Sequence, residues 1–108
     1  MSSLLIKIDE VISVNISSTK TLAIVVTGIV QGVGFRWATI QIANQLAISG
    51  WVKNEPDGSV KIIAQGDDDQ LTRFIGQLKK PPTPYAKINA VESHYITNSP
   101  LKGFKVKY

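Results

Sequence analysis

The chain has 108 residues, room for one domain and no more. Apolar residues make up 44% of it and charged residues 19%, the composition of an ordinary globular protein, and the lack of cysteine excludes a disulfide scaffold, a thiol nucleophile and a thiolate metal site. Twelve Lys and Arg against eight Asp and Glu leave a modest basic excess suited to an anionic small molecule, and the single histidine, His94, excludes a multi-histidine zinc centre.

Residues 1–20 differ in character from the rest. Leu4, Leu5, Ile8, Val11, Ile12 and Ile16 recur at helical spacing, yet Ile12, Val14 and Ile16 also alternate with Ser13, Asn15 and Ser17. Periodicity does not arbitrate between helix and strand here. The segment lacks a basic leader, and Lys7, Asp9 and Glu10 interrupt its apolar run, so it reads poorly as a signal peptide. No stretch approaches the roughly 20 apolar residues of a membrane span. The expectation is a cytoplasmic chain with an N-terminal extension, residues 1–20, ahead of a domain over residues 21–108.

From residue 21 the signals sharpen. Residues 22–30, LAIVVTGIV, are apolar on both faces, as a central strand is. A glycine-containing turn from Gln31 to Gly34 follows. Residues 35–48 carry a helical stripe of Phe35, Ala38, Ile42 and Leu46, and Ser49-Gly50 is expected to end the helix. Trp51-Val52-Lys53 opens a second strand, Glu55-Pro56-Asp57-Gly58 is a hairpin turn, and residues 59–65 form a third strand. Asp67, Asp68 and Asp69 open a second helix at its positive end, with Leu71, Phe74, Ile75 and Leu78 on one face. Gly76 inside that helix costs about 1 kcal/mol relative to Ala, which suggests close packing. Pro81-Pro82 stops the helix, a fourth strand follows near residues 88–97, and a short strand from Phe104 to Tyr108 closes the chain. The order is β-α-β-β-α-β plus a terminal strand. Two split βαβ units of this kind predict an α+β, ferredoxin-like sandwich, with two helices on one face of a mixed, mostly antiparallel sheet.

The segment with most chemical content is Gly28-Ile29-Val30-Gln31-Gly32-Val33-Gly34-Phe35-Arg36, which joins a buried strand directly to a helix. Gly32 and Gly34 let backbone N–H groups converge on one point, and the helix start adds its own free N–H groups. Arg36 falls in the first helical turn, where a cation gains nothing from the helix dipole. A planar guanidinium beside a ring of N–H donors can grip a phosphoryl group by two oxygens at once. Glycines also serve steric ends at such turns, and an arginine there is often simply solvated, so spacing alone leaves both readings open. Neither standard phosphate motif is present: there is no Gly-Lys-Ser/Thr, and Trp37 stands where a dinucleotide fingerprint has a third glycine. Asn54, before the Asp-Gly hairpin, is either a turn residue or a neutral amide able to hold a water in line with phosphorus.

Taken together, Gly28-x-Val30-Gln31-Gly32-Val33-Gly34-Phe35-Arg36-x-x-Thr39, then Gly50-Trp51-Val52-Lys53-Asn54-x-x-Asp57-Gly58-Ser59-Val60 and Gln65-Gly66, resemble the acylphosphatase family over residues 21–108. The resemblance implies a ferredoxin-like sandwich and a hydrolase that cleaves the carboxyl-phosphate bond of small acyl phosphates by direct attack of water. It implies Arg36 as the substrate-binding arginine and Asn54 as the residue that positions the water. It implies Gln31, Gly32, Val33, Gly34 and Phe35 as the phosphate cradle and Thr39 as a hydroxyl assisting the loop or the water. It implies no metal, cofactor or covalent intermediate. An acyl phosphate already has a weakly basic leaving group, which agrees with a chain lacking an obvious general acid; His94 is therefore expected to be structural or on the surface. The expected partner is a small molecule, with no nucleic acid and no membrane. The expected state is a monomer, and the extension over residues 1–20, which the resemblance leaves unplaced, could mediate dimerisation.

An RNA-binding module shares this fold class, and its glycine-aromatic signature overlaps superficially with residues 31–38. That signature belongs on a third strand with exposed aromatics to stack bases. Here it follows the first strand, position 33 is valine, and residues 59–65 hold no aromatic.

Overall fold

A computed structural model describes residues 19–108. The elements run β1 (Lys20–Ile29), α1 (Phe35–Gln45), β2 (Ser49–Asn54), β3 (Val60–Gly66), α2 (Asp68–Lys79), β4 (Lys87–Ile96) and β5 (Phe104–Val106). The expected order of elements holds, with ends displaced by at most three residues. The readings of residues 1–18 as an extension lie outside the described residues.

The five strands form one sheet in the order β4-β1-β3-β2-β5. β1 pairs antiparallel with β3 and β4, β2 pairs antiparallel with β3, and β5 joins β2 in parallel. β1 thus has a strand on each edge, the central position its apolar run predicts. The alternate residues Leu22, Ile24 and Val26 of β1 enter a core shared with Phe35, Ile42 and Ala43 of α1 and Leu71, Phe74 and Leu78 of α2. Both helices therefore cover one face of the sheet. Phe74 meets Phe104 of β5 edge to face, with ring centroids 6.1 Å apart.

Three local expectations are corrected. The first helix stops at Gln45 and not at residue 48. Ala47 takes the left-handed conformation (φ 55°), with its N–H donating to the Asn44 carbonyl at 3.3 Å and the N–H of Ile48 donating to that of Ala43 at 2.9 Å. This closes the helix in the manner usually given to glycine, one residue after the cap, while Ile48 is buried. Gly50, expected as the helix terminator, lies inside β2 instead. It has φ 149°, and a Cβ there would sit 1.8 Å from the Ile63 carbonyl oxygen, so it is needed for close approach of β3. Gly76 is not tightly packed, since a Cβ there would meet nothing within 4 Å.

The acidic start of α2 goes beyond a dipole effect. Asp67 Oδ1 accepts from the Gln70 N–H at 2.7 Å, and the Asp67 N–H donates to Gln70 Oε1 at 2.8 Å. Gln70 Nε2 also donates to the Leu46 carbonyl at 2.9 Å, joining the end of α1 to the start of α2.

Candidate active site

The β1–α1 turn is anchored at both ends by the core. Val30 and Phe35 are each 1% exposed, so residues 31–34 span a short gap between two buried side chains. Gly32 (φ 73°) and Gly34 (φ 78°) both adopt the left-handed region that an ordinary side chain resists. Gly34 is the residue that caps α1, and it brings no side chain to do so. No acidic residue occupies the first turn of α1 either. The first N–H groups of the helix are thus left to an external acceptor, and the helix dipole favours an anion there.

Arg36 follows in the first turn, partly buried. The ion pairs among the described residues are Lys20 with Asp68 and Arg73 with Asp69, so no carboxylate of the described residues neutralises Arg36. Its guanidinium carbon lies 5.7 Å from the centre of the Tyr108 ring. An aromatic face near the guanidinium supports a cation without occupying its hydrogen-bonding fork.

Asn54 is the last residue of β2, opposite Val60 of β3. Its Oδ1 is buried and has no hydrogen-bond partner among the described residues. A buried acceptor left unpaired costs on the order of 1–3 kcal/mol, so this atom calls for a partner such as a water or a ligand group. The adjoining hairpin is held by Asp57, whose Oδ1 accepts from the Ser59 hydroxyl at 2.6 Å and the Ser59 N–H at 2.9 Å. The Ser59 hydroxyl, then its N–H, hold the Asp57 carboxyl below the usual carboxylate range.

The other residues singled out in the sequence differ in their contacts. Gln31 turns its side chain away from the turn: Nε2 donates to the carbonyls of Glu55 and Ser59, both at 2.8 Å. The Val33 carbonyl accepts from Thr83 Oγ1 at 3.0 Å. Thr39 is fully buried, and its hydroxyl donates to the Phe35 carbonyl one turn earlier at 2.8 Å. Its hydrogen is committed to the helix, at the carbonyl of the first residue of α1. His94 is exposed on β4, where it pairs with Ala23. Thr83 and Tyr108 escape sequence reasoning. Thr83 lies 50 residues from Val33 in a proline-rich connection, and no local pattern marks such a tether.

The fold and the turn define a ferredoxin-like α+β domain whose first strand-to-helix junction carries two left-handed glycines, an uncapped helix start and Arg36. Residues 22–106 match the acylphosphatase family model, and the chain belongs to the acylphosphatase family, hydrolases of acyl phosphates. An acylphosphatase of Lactobacillus johnsonii is 51% identical over 80 residues, which cover 74% of this chain and 88% of that one. The crystal structure of acylphosphatase from Bacillus subtilis superposes with a TM-score of 0.78 at 32% identity, covering 82% of this chain and 98% of that one. An acylphosphatase structure from Coxiella burnetii gives a TM-score of 0.80 at 29% identity, covering 86% and 97%.

Among the described residues no helix is long and apolar enough to cross a membrane.

Proposed function

We propose that the chain hydrolyses acyl phosphates to a carboxylate and inorganic phosphate, with Arg36 and the amides of residues 32–36 holding the phosphoryl group and Asn54 positioning water. The observation that carries the reading is the unpaired, buried Oδ1 of Asn54, on a strand end that Gln31 ties to the cradle. A carboxamide oxygen accepts a hydrogen from water and so orients the water's lone pair.

The chemistry asks for little beyond positioning and charge stabilisation. The water oxygen forms the new bond to phosphorus as the bond to the acyl oxygen breaks. The electron pair of the broken bond leaves on the carboxylate, a weak base that needs no general acid. The proton lost by the water is taken up by a phosphoryl oxygen, so no enzymic base is needed. Arg36 and the cradle amides meet the charge on the phosphoryl oxygens.

Assay of acyl phosphate hydrolysis by the purified chain, beside Arg36→Lys, tests the reading. The ammonium is a point charge and cannot replace a planar fork. A loss on the order of 10²–10³ in turnover is expected, with the circular dichroism unchanged. A variant keeping more than about a third of parental turnover, far above that range, overturns the role of Arg36.

The reading includes a monomer placed in the cytoplasm and a catalytic domain over residues 21–108. The family match, which begins at residue 22, supports that boundary. The single core closed by both helices supports a domain complete in one copy.

A further inference from the structure

We infer that Gln31 is a positioning residue that fixes the separation between the phosphate cradle and Asn54; this rests on the roles proposed above for the cradle and Asn54. The Gln31 amide nitrogen carries two hydrogens and meets two acceptors, the Glu55 and Ser59 carbonyls, each at 2.8 Å. Both donors are thereby used. The other polar atom of the side chain, Oε1, is an acceptor, which is the wrong polarity for an anion. The side chain is therefore unsuited to bind phosphate, although it lies at the start of the cradle.

The two acceptors occupy a specific place. The Glu55 N–H already donates to the Ser59 carbonyl at 2.9 Å, closing the hairpin just beyond the Asn54–Val60 pair. The Gln31 amide thus sits on the hydrogen-bonded rung next to Asn54. The pairing of β1 with β3 ends at Val26 opposite Val60, short of the turn. Among the described residues no main-chain hydrogen bond joins residues 30–34 to residues 54–60. The Gln31 side chain supplies that connection, across 24 and 28 residues of sequence. One side of the site holds phosphorus and the other holds water, and a displacement of about 1 Å between reacting groups can cost on the order of 10²-fold in rate.

The side-chain requirement is narrow. Met keeps the length but donates nothing. Glu keeps the shape but turns carboxylate lone pairs toward two carbonyl oxygens.

The test uses the full chain with Gln31→Met and Gln31→Glu, each alone and combined with Asn54→Ala. Turnover, KM and competitive inhibition by inorganic phosphate are measured for all. The single variants are expected to lose about 10- to 100-fold in kcat. Inhibition by phosphate should stay within about threefold of the parent, because ground-state binding of the anion is untouched. In the Asn54→Ala background the further loss should shrink to less than about threefold, the non-additivity of residues acting through one another. An equal weakening of phosphate inhibition would make Gln31 a phosphate ligand. Full additivity with Asn54→Ala would show that it acts independently of Asn54. Either result overturns the inference. Should the Glu variant not fold, the Met variant carries the comparison.

A second measurement does not depend on turnover. In NMR spectra, Gln31→Met should move the Asn54 side-chain amide and the main-chain amides of residues 55–59. The amides of residues 32–36 should still respond to added inorganic phosphate. An Asn54 signal unchanged by Gln31→Met overturns the tie. A parent chain that binds phosphate but hydrolyses no acyl phosphate instead overturns the proposed function and leaves the NMR comparison to decide the role of Gln31.

Discussion

Single atoms carry much of the site's meaning. The orphaned Oδ1 of Asn54 costs stability unless a water or substrate group reaches it. Asn54→Ala is therefore expected to lower turnover on the order of 10²-fold while leaving inhibition by inorganic phosphate within about threefold. Equal losses in both would recast Asn54 as a phosphate ligand or a turn cap. Asp57 offers a separate check through pH. Its carboxyl accepts two hydrogen bonds from Ser59 and is held below its ordinary range. A carboxyl whose folded value lies below its unfolded value, about 3.9, stabilises the protein above that unfolded value. The contribution fades as pH falls through the folded value. The Asp57 hairpin should thus keep its structure at neutral pH and loosen only in acid below about pH 4. An NMR titration should place the Asp57 midpoint under that of an ordinary aspartate, and a midpoint at or above it would contradict the geometry. The residue scale also shows what a sequence can mark for attention. Gly32, Gly34, Arg36 and Asn54 stand out because each sits at a local position whose backbone or charge demands are visible in neighbouring residues. Gln31 reads from sequence as part of the cradle, but its side chain serves the hairpin, and no neighbour in the chain reveals that.

At the scale of elements, two glycines expose the difference between a local cost and a tertiary need. Both interrupt otherwise regular elements. Gly76 lies in α2 with open space where a Cβ would be. Gly76→Ala should stabilise the protein by about 0.4–1 kcal/mol, by limiting the unfolded chain and favouring the helix. Gly50 lies in β2 with φ at 149°, and the Ile63 carbonyl oxygen is 1.8 Å from the point a Cβ would occupy. Gly50→Ala should destabilise by at least about 2 kcal/mol, since strand separation or backbone conformation must give way. For a domain of this size that corresponds to a fall of very roughly 8–16 °C in Tm. Thermal melts of the two variants side by side should move in opposite directions; a neutral Gly50→Ala would mean the β2–β3 spacing is softer than the strand geometry indicates. The element ends tell the same story. The apolar stripe through Leu46 and the Ser49-Gly50 stop signal predict a helix to residue 48. Main-chain closure around left-handed Ala47 ends the helix at Gln45 and sends Ile48 into the core.

For the whole molecule, the proposed chemistry resides in elements downstream of Gly28. A chain beginning at Lys20 should therefore fold and hydrolyse acyl phosphates at a rate within about threefold of the parent, since no positioned group is removed. Circular dichroism, turnover and size-exclusion chromatography of the two chains check this together. A folded but inactive shortened chain would extend the site into residues 1–19, and a dimer that became a monomer would make that segment an interface. The order of strands and helices, the glycine-bounded turn before Arg36 and the placement of Asn54 ahead of a tight hairpin are all legible in the chain alone. They follow from hydrophobic period, backbone freedom and charge, which act within a few residues. Other features emerge only on folding: β5 lies parallel to β2, Gln31 fastens the β1–α1 turn to the hairpin, Thr83 holds Val33 and Tyr108 lies against Arg36. Each of these joins positions far apart in the chain, and the sheet order β4-β1-β3-β2-β5 is what makes them neighbours. Local preference sets the conformation of a segment, whereas such contacts exist only after burial of a common core has brought the segments together.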